Sequence, residues 1–185
     1  MKQLALDIGL ATGPTLARFF AGPNEAALQH LRLWAGEGSQ PDTRSPVPTY
    51  LWGEAGSGKT HLLKAVRQAL SDQGASVGWL DASVAVPAEF DERWAAVVLD
   101  DVHLYSTAQQ AMAFNWFVNA ISPANGAPRW VLAAGNLPPA DLPLRDDLRS
   151  RLGWGHVFQL QLLDETARRA VLRQAADARG VFLGD

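Results

Sequence analysis

The sequence predicts an α/β fold, a mostly parallel β-sheet with helices on both faces. Three observations carry that expectation. From residue 49 onward, short runs rich in β-branched and aromatic residues alternate with helix-period patterns. Three of the runs are nearly continuous apolar stretches, as strands buried on both faces are. A glycine-rich turn joins the first run to a long helical pattern. At 185 residues the chain has the length of one compact domain with a small appendage.

Taken in order, a helix is expected near 24–34, followed by AGEGSQPDTRSPVP (35–48), whose Gly, Ser and Pro content marks a surface loop. The first strand is TYLWG (49–53). A helix over about 58–73 puts Leu62, Leu63, Val66, Ala69 and Leu70 on one stripe, and Gly74 stops it. Strands VGWLDAS (77–83) and AAVVLDD (95–101) follow. The pattern at 107–121 spaces Phe114, Phe117, Val118 and Ile121 along one helix face and breaks at Ser122-Pro123. Both stripes read as core packing. RWVLAAG (129–135) and HVFQLQL (156–162) complete five strands. Asp164 then caps a helix to about 179 with Ala167, Val171, Leu172 and Ala175 on one face.

Composition excludes several classes. Apolar residues make up 48% and charged residues 19%, and no segment approaches the ~20 consecutive apolar residues of a membrane crossing. The opening MKQLALDIGLATG is interrupted by Asp7 where an export signal needs an unbroken apolar core, so a cytoplasmic protein is expected. Without Cys there is no thiolate site, and His30, His61, His103 and His156 lack ligand spacing; they read as packing, structural or surface residues. Sixteen basic against nineteen acidic residues give a net charge of −3, which does not draw nucleic acid to the whole molecule.

The motif that narrows the chemistry is GEAGSGKT at 53–60, which matches G-x-x-x-x-G-K-[ST] at every fixed position between a strand and a helix. Gly53, Glu54, Ala55, Gly56, Ser57 and Gly58 form a loop whose glycines let backbone N–H groups turn inward onto phosphate oxygens. The helix N-terminus adds partial positive charge. Lys59 is suited to the β- and γ-phosphates, Thr60 to a Mg2+ ion, and His61, directly after, is counted with the nucleotide-binding residues, where it caps or packs against the loop. The bland alternative, a glycine turn with a solvated lysine, has to explain why one of only three Lys falls here.

Three further elements accompany it. VVLDD (97–101) ends a strand in two carboxylates: Asp100 is the candidate for holding Mg2+ through water, and Asp101 for orienting or deprotonating an attacking water, unless the pair is merely a polar strand end. Asn136, after the fourth strand, either holds that water and touches the γ-phosphate or eases a turn before two prolines. Arg145, Arg149 and Arg151 either present a cation to a phosphate or lie solvated beside Asp146 and Asp147.

In order and spacing, the phosphate loop, LDD strand end, Asn-bearing strand end and SRLGWG run resemble the AAA+ ATPase domain of the replication initiator DnaA, from Phe19 to about Arg179. The resemblance implies a P-loop NTPase fold with a five-stranded parallel sheet in the order 5-1-4-3-2. FFAGPN (19–24) is similar to the family's opening motif beside the adenine, which implies nucleotide contacts from Phe20, Gly22 and Asn24. By the same resemblance Arg151 is the arginine finger and Asn136 the first sensor. The opening KQLALD is similar to peptides that dock on the sliding clamp of DNA polymerase III, with Gln3, Leu4 and Leu6 as the contacts. The set looks like the Hda-type regulatory inactivators of DnaA. It implies ADP or ATP with Mg2+ as ligands, DnaA and the clamp as partners, DNA contact only through the clamp, and negative control of replication initiation.

The implied organisation is an extended segment at 1–18, a nucleotide-binding domain at 19–163, and a last helix at 164–185 leading to a helical lid that this sequence lacks. Two alternatives stand beside the inactivator: an ATP-driven helicase loader or other initiation ATPase, and a nucleotide-gated adaptor that catalyses nothing. Whether the chain hydrolyses ATP itself stays open.

Overall fold

A computed structural model describes residues 13–35, 47–177 and 180 of the chain. Its elements are α1 (Glu25–Ala35), β1 (Thr49–Trp52), α2 (Lys59–Asp72), β2 (Ser76–Leu80), β3 (Trp94–Leu99), α3 (Thr107–Ile121), β4 (Trp130–Gly135), α4 (Asp146–Leu152), β5 (His156–Gln159) and α5 (Glu165–Asp177). Five strands form one sheet in the order β2-β3-β4-β1-β5, which is 5-1-4-3-2 read from the other edge. Every pairing is parallel, with Leu51 of β1 beside Ala134 of β4 and Phe158 of β5.

Strand alternation divides the core between the two faces of the sheet. Leu51, Ala96, Val98, Trp130, Leu132 and Ala134 pack with Leu28 and Leu31 of α1 and Leu62, Leu63 and Val66 of α2. Tyr50, Val97, Leu99, Val131 and Ala133 pack on the opposite face with Trp116 and Phe117 of α3 and Leu148 and Leu152 of α4. Trp34 of α1 stacks on Trp130 of β4, with ring centres 4.3 Å apart and planes 3° from parallel, which pins α1 to the sheet.

Three expectations need correction, and one segment with no expected secondary structure forms a helix. The second strand ends at Leu80 because the Asp81 carboxylate accepts from Trp79 Nε1 at 2.7 Å and Ser83 N at 2.9 Å, folding the chain into a turn. The buried face of α3 is Gln109, Ala113, Trp116, Phe117 and Ala120, rotated from the expected stripe; Phe114, Val118 and Ile121 are half-buried. In α5 no residue is fully buried, and Leu172 is 62% exposed where a packed position was expected. The Arg-rich run, left without a secondary structure by the sequence, forms α4, with Asp146 and Asp147 in its first turn and Arg149 and Arg151 in its last, the polarity that the helix dipole favours.

Parallel strands place all C-terminal ends on one edge. The phosphate-loop sequence leaves β1 there, Asp100 follows β3, and Asn136 follows β4. β1 and β4 are neighbours in the sheet, so these segments converge at the crevice where ligands of open α/β sheets bind.

Candidate functional site

The loop between β1 and α2 begins at Gly53, whose backbone packs so closely on the strand exit that an added Cβ would sit 2.4 Å from the Leu160 carbonyl. Gly56 and Gly58 adopt left-handed φ values of 84° and 98°, which swing the loop around and into the start of α2. The first N–H groups of α2 have no partners within the helix and face the loop. Lys59 is 7% exposed, and its Nζ donates to the Gly53 carbonyl at 2.6 Å and the Glu54 carbonyl at 2.8 Å. Burial lowers its pKa, partly opposed by the charges of Asp101 and Asp100. Among the described residues no carboxylate lies within ion-pair distance of it. A buried ammonium bonded only to carbonyl and hydroxyl oxygens, beside unpaired amide donors, is the donor set that phosphate oxygens require.

Thr60 and Asp100 meet across the crevice: Thr60 Oγ1 donates to Asp100 Oδ2 at 2.7 Å, and Asp101 N donates to Asp100 Oδ1 at 3.0 Å. Asp100 is 3% exposed, and burial, with the nearby Asp101 charge, raises its pKa. A carboxylate destabilised in this way gains from a cation, so Thr60 and Asp100 fit the Mg2+ that accompanies a bound nucleotide. Asp101 is the one non-glycine among the described residues with left-handed backbone, at φ 49°.

Asn136 is exposed just past Gly135. The strand is fastened at that point, since the Tyr50 hydroxyl donates to the Leu137 carbonyl at 2.7 Å and an added Cβ on Gly135 would lie 2.4 Å from that hydroxyl. Glu54, Ala55, Lys59, Asp101, His103 and Asn136 enclose a cavity of about 320 Å³. A cleft of about 540 Å³ opens beside α4 between Pro139 and Val157, but the glycine-rich loop, Lys59 and Asp101 meet at the smaller cavity.

The FFAGPN segment closes one side. Phe19 packs against the loop: an added Cβ on Gly58 would be 3.0 Å from its ring, and its ring centre lies 5.7 Å from that of His61. Gly22 packs with Phe20 and Leu163. Asn24 is 3% exposed; its Nδ2 donates to the Gln161 carbonyl at 3.0 Å, and Gln161 N donates to its Oδ1 at 2.8 Å. Both polar atoms of that amide are committed to the backbone after β5, so its part is to hold this wall in place.

The α4 arginines separate cleanly. Arg145 pairs with Asp147 at 2.6 Å and Arg149 pairs with Asp146. Arg151 has no ion pair among the described residues; its Nη1 donates to the Asp147 carbonyl at 3.3 Å and its guanidinium lies on Phe114. The solvated-pair reading therefore describes two of the three.

No protein-family model matches the chain. An uncharacterised protein of Haemophilus influenzae is 32% identical over 193 aligned residues, an alignment that takes in 100% of this chain and 79% of that protein. The chain belongs to the family of that protein. Among solved structures, domain III of DnaA from Thermotoga maritima superposes with a TM-score of 0.73 at 20% identity, covering 100% of this chain and 79% of that one. AMPPCP-bound DnaA from Aquifex aeolicus gives a TM-score of 0.73 at 22% identity over 95% of this chain. The chain spans 58% of the length of that Aquifex protein. The fold is the AAA+ P-loop domain seen in DnaA.

Within this fold the structure brings together Lys59, Thr60, Asp100, Asp101 and Asn136 as the sequence reading grouped them, while Arg151 lies on α4 and does not line their cavity. Gln3, Leu4 and Leu6 lie outside the described residues. Two residues take places at the site that the sequence does not signal. Phe19, rather than Phe20, packs on Gly58, and the signal for it was only its place in a paired aromatic. His103 was read as structural or surface, yet it lines the cavity with Asp101; its spacing from Asp101 becomes informative only once the left-handed turn is known. Burial lowers its pKa from the usual imidazole value.

Proposed function

We propose that this protein binds ADP or ATP with Mg2+ in the loop at 53–60 and acts as a negative regulator of replication initiation, stimulating ATP hydrolysis by DnaA. The DnaA-like AAA+ fold supports the nucleotide assignment, as does the Aquifex DnaA being bound to AMPPCP. The observation that supports the regulatory part is the state of Arg151: a half-buried cation on α4 without an ion pair among the described residues, and not among the residues that line the cavity at this chain's own phosphate loop. Such a group serves a phosphate in a neighbouring molecule. It neutralises charge that develops on the transferred phosphoryl group, an effect worth ~10³–10⁵ in rate when supplied in trans.

In this reading the clamp-like segment Gln3, Leu4 and Leu6 tethers the protein to the DNA polymerase III sliding clamp on DNA, and DNA contact is indirect. Within this chain Lys59 and the loop amides hold the phosphates, while Thr60 and Asp100 would hold Mg2+, which supplies charge neutralisation between phosphates. Asp101 and Asn136 orient water for any hydrolysis in this protein's own site.

The test is turnover of ATP already bound to DnaA, with clamp-loaded DNA, comparing wild type, Arg151→Ala and a form lacking residues 1–7. Acceleration by wild type, lost by ~10² or more in both variants, supports finger and tether together. Binding without any change in turnover favours a nucleotide-gated adaptor. Indifference of DnaA, with DNA stimulating this protein's own ATPase, replaces the proposal with a helicase-loader-like enzyme.

A further inference from the structure

His103 sits on a turn built to hold it still. Asp101 enters the left-handed region, and the 3₁₀ turn Val102–Leu104 follows. Leu104 N donates to the Asp101 carbonyl at 2.9 Å and Tyr105 N to the Val102 carbonyl at 3.2 Å. The far side is locked by the Tyr105 hydroxyl donating to the Leu80 carbonyl at 2.8 Å and by Gln110 Nε2 donating to the Tyr105 carbonyl at 3.0 Å. Val102 is fully buried. Strain at Asp101 and four hydrogen bonds are more than a solvent-facing side chain requires.

The ring lines the same cavity as Lys59, Asp101 and Asn136. Its Nδ1 is buried and has no hydrogen-bond partner among the described residues. A neutral imidazole carries its proton on one nitrogen and a lone pair on the other. An unpaired N–H is the costlier group to bury, so the buried Nδ1 keeps the lone pair and Nε2 carries the proton. A merely structural histidine would have its buried nitrogen paired. Nε2 is therefore the nitrogen left to donate, on a residue that lines the cavity.

Resting on the nucleotide reading above, we propose that His103 is a specificity-determining residue, donating from Nε2–H to the outermost phosphate of a nucleoside triphosphate and so making the site discriminate tri- from diphosphate. The loop amides, and Lys59 through its contact with the β-phosphate, recognise groups common to both ligands, whereas the cavity beyond them adds two neutral donors, His103 and Asn136, to the Asp101 carboxylate. That combination suits a terminal phosphate and a water.

Calorimetric titration of the full chain with Mg-ADP and with Mg-AMPPCP, for wild type, His103→Ala and His103→Gln, tests this. His103→Ala is expected to weaken AMPPCP binding by roughly tenfold or more while ADP affinity stays within about twofold, and Gln, which keeps an N–H donor, should recover part of the loss. Equal weakening of both ligands, or of neither, overturns the proposal while leaving the nucleotide site intact. Wild type that binds neither ligand overturns the nucleotide reading, and this inference with it. Thermal melts of all three proteins identify a variant whose loss comes from unfolding: such a variant loses both ligands together, and Gln does not restore AMPPCP alone.

Discussion

The guanidinium of Arg151 lies 4.7 Å from the ring centre of Phe114, and Arg145 lies 5.0 Å from the same ring. One aromatic side chain of α3 therefore holds two cations, one just before α4 and one in its last turn. A cation over an exposed aromatic face is worth about 0.5–1 kcal/mol, enough to favour one orientation of a long side chain without freezing it. Phe114 is thus a positioning residue for Arg151. Phe114→Leu keeps the apolar contact and removes the ring face. Resting on the proposed function, the expected outcome is a loss of about threefold to fivefold in stimulated DnaA-ATP turnover, matching that interaction energy, with ADP affinity unchanged. Single-turnover hydrolysis together with ADP titration checks it; unchanged turnover would mean that Phe114 does not place Arg151.

Lys59 carries a second prediction. Its ammonium is buried among the Gly53 and Glu54 carbonyls, and a phosphate would satisfy that charge better than neutral oxygens do. Lys59→Ala is expected to weaken Mg-ADP binding by about 10²-fold and to abolish the rise in melting temperature that saturating nucleotide gives the wild type. Retained stabilisation by nucleotide in the variant would remove Lys59 from the phosphate site.

Much of this architecture was legible in the sequence for physical reasons. Strands buried on both faces read as apolar runs, and each of the five fell where expected to within a few residues. The loop at 53–60 was legible because glycine and lysine are demanded there by backbone shape and charge. What was hidden depends on tertiary partners. Gln109 disguised the buried face of α3: its side chain turns inward because Nε2 donates to the Ala82 and Val84 carbonyls at 3.1 and 2.8 Å, bonds to a loop distant in sequence. The role of Asn24 was hidden in the same way, since Gln161 lies 137 residues along the chain. α4 escaped notice because its seven residues bury only Leu148 and Leu152, too few to show a period.

Gly155 shows that the GWG run has a packing cause as well as a resemblance. A Cβ there would lie 2.0 Å from the Pro48 carbonyl and 2.8 Å from Val47 Cγ1, at the point where His156 N donates to Pro48 O at 2.8 Å and starts β5. Backbone cannot yield as a side-chain end can. Gly155→Ala is expected to cost roughly 2–4 kcal/mol by displacing β5 from β1. Gly13→Ala, where nothing lies within 4 Å of the added carbon, should change stability by less than about 0.5 kcal/mol. Urea unfolding of both variants measures the contrast, and equal midpoints would show that β5 slides without cost.

Acid sensitivity should come first from His30. Its Nε2 lies 2.8 Å from Thr49 Oγ1, and its ring centre is 4.5 Å from that of His156 and 5.1 Å from that of Phe158. Burial, followed by the neighbouring His156, lowers its pKa from 6.5 to about 4. The folded state therefore binds fewer protons than the unfolded state between those values, and stability rises with pH across the window. The contribution is complete above the unfolded value and is lost as pH falls toward about 4. After discounting for partial exposure it is worth roughly 2 kcal/mol. His61 and His103 are lowered in the same direction and add to the slope. His30→Gln, which keeps a donor for Thr49, should flatten the fall in urea midpoint between about pH 7 and pH 5 by more than half, since the ionisable group with the deep depression is gone. If wild type and variant lose stability in parallel over that range, the burial of His30 is not what makes the fold acid-sensitive.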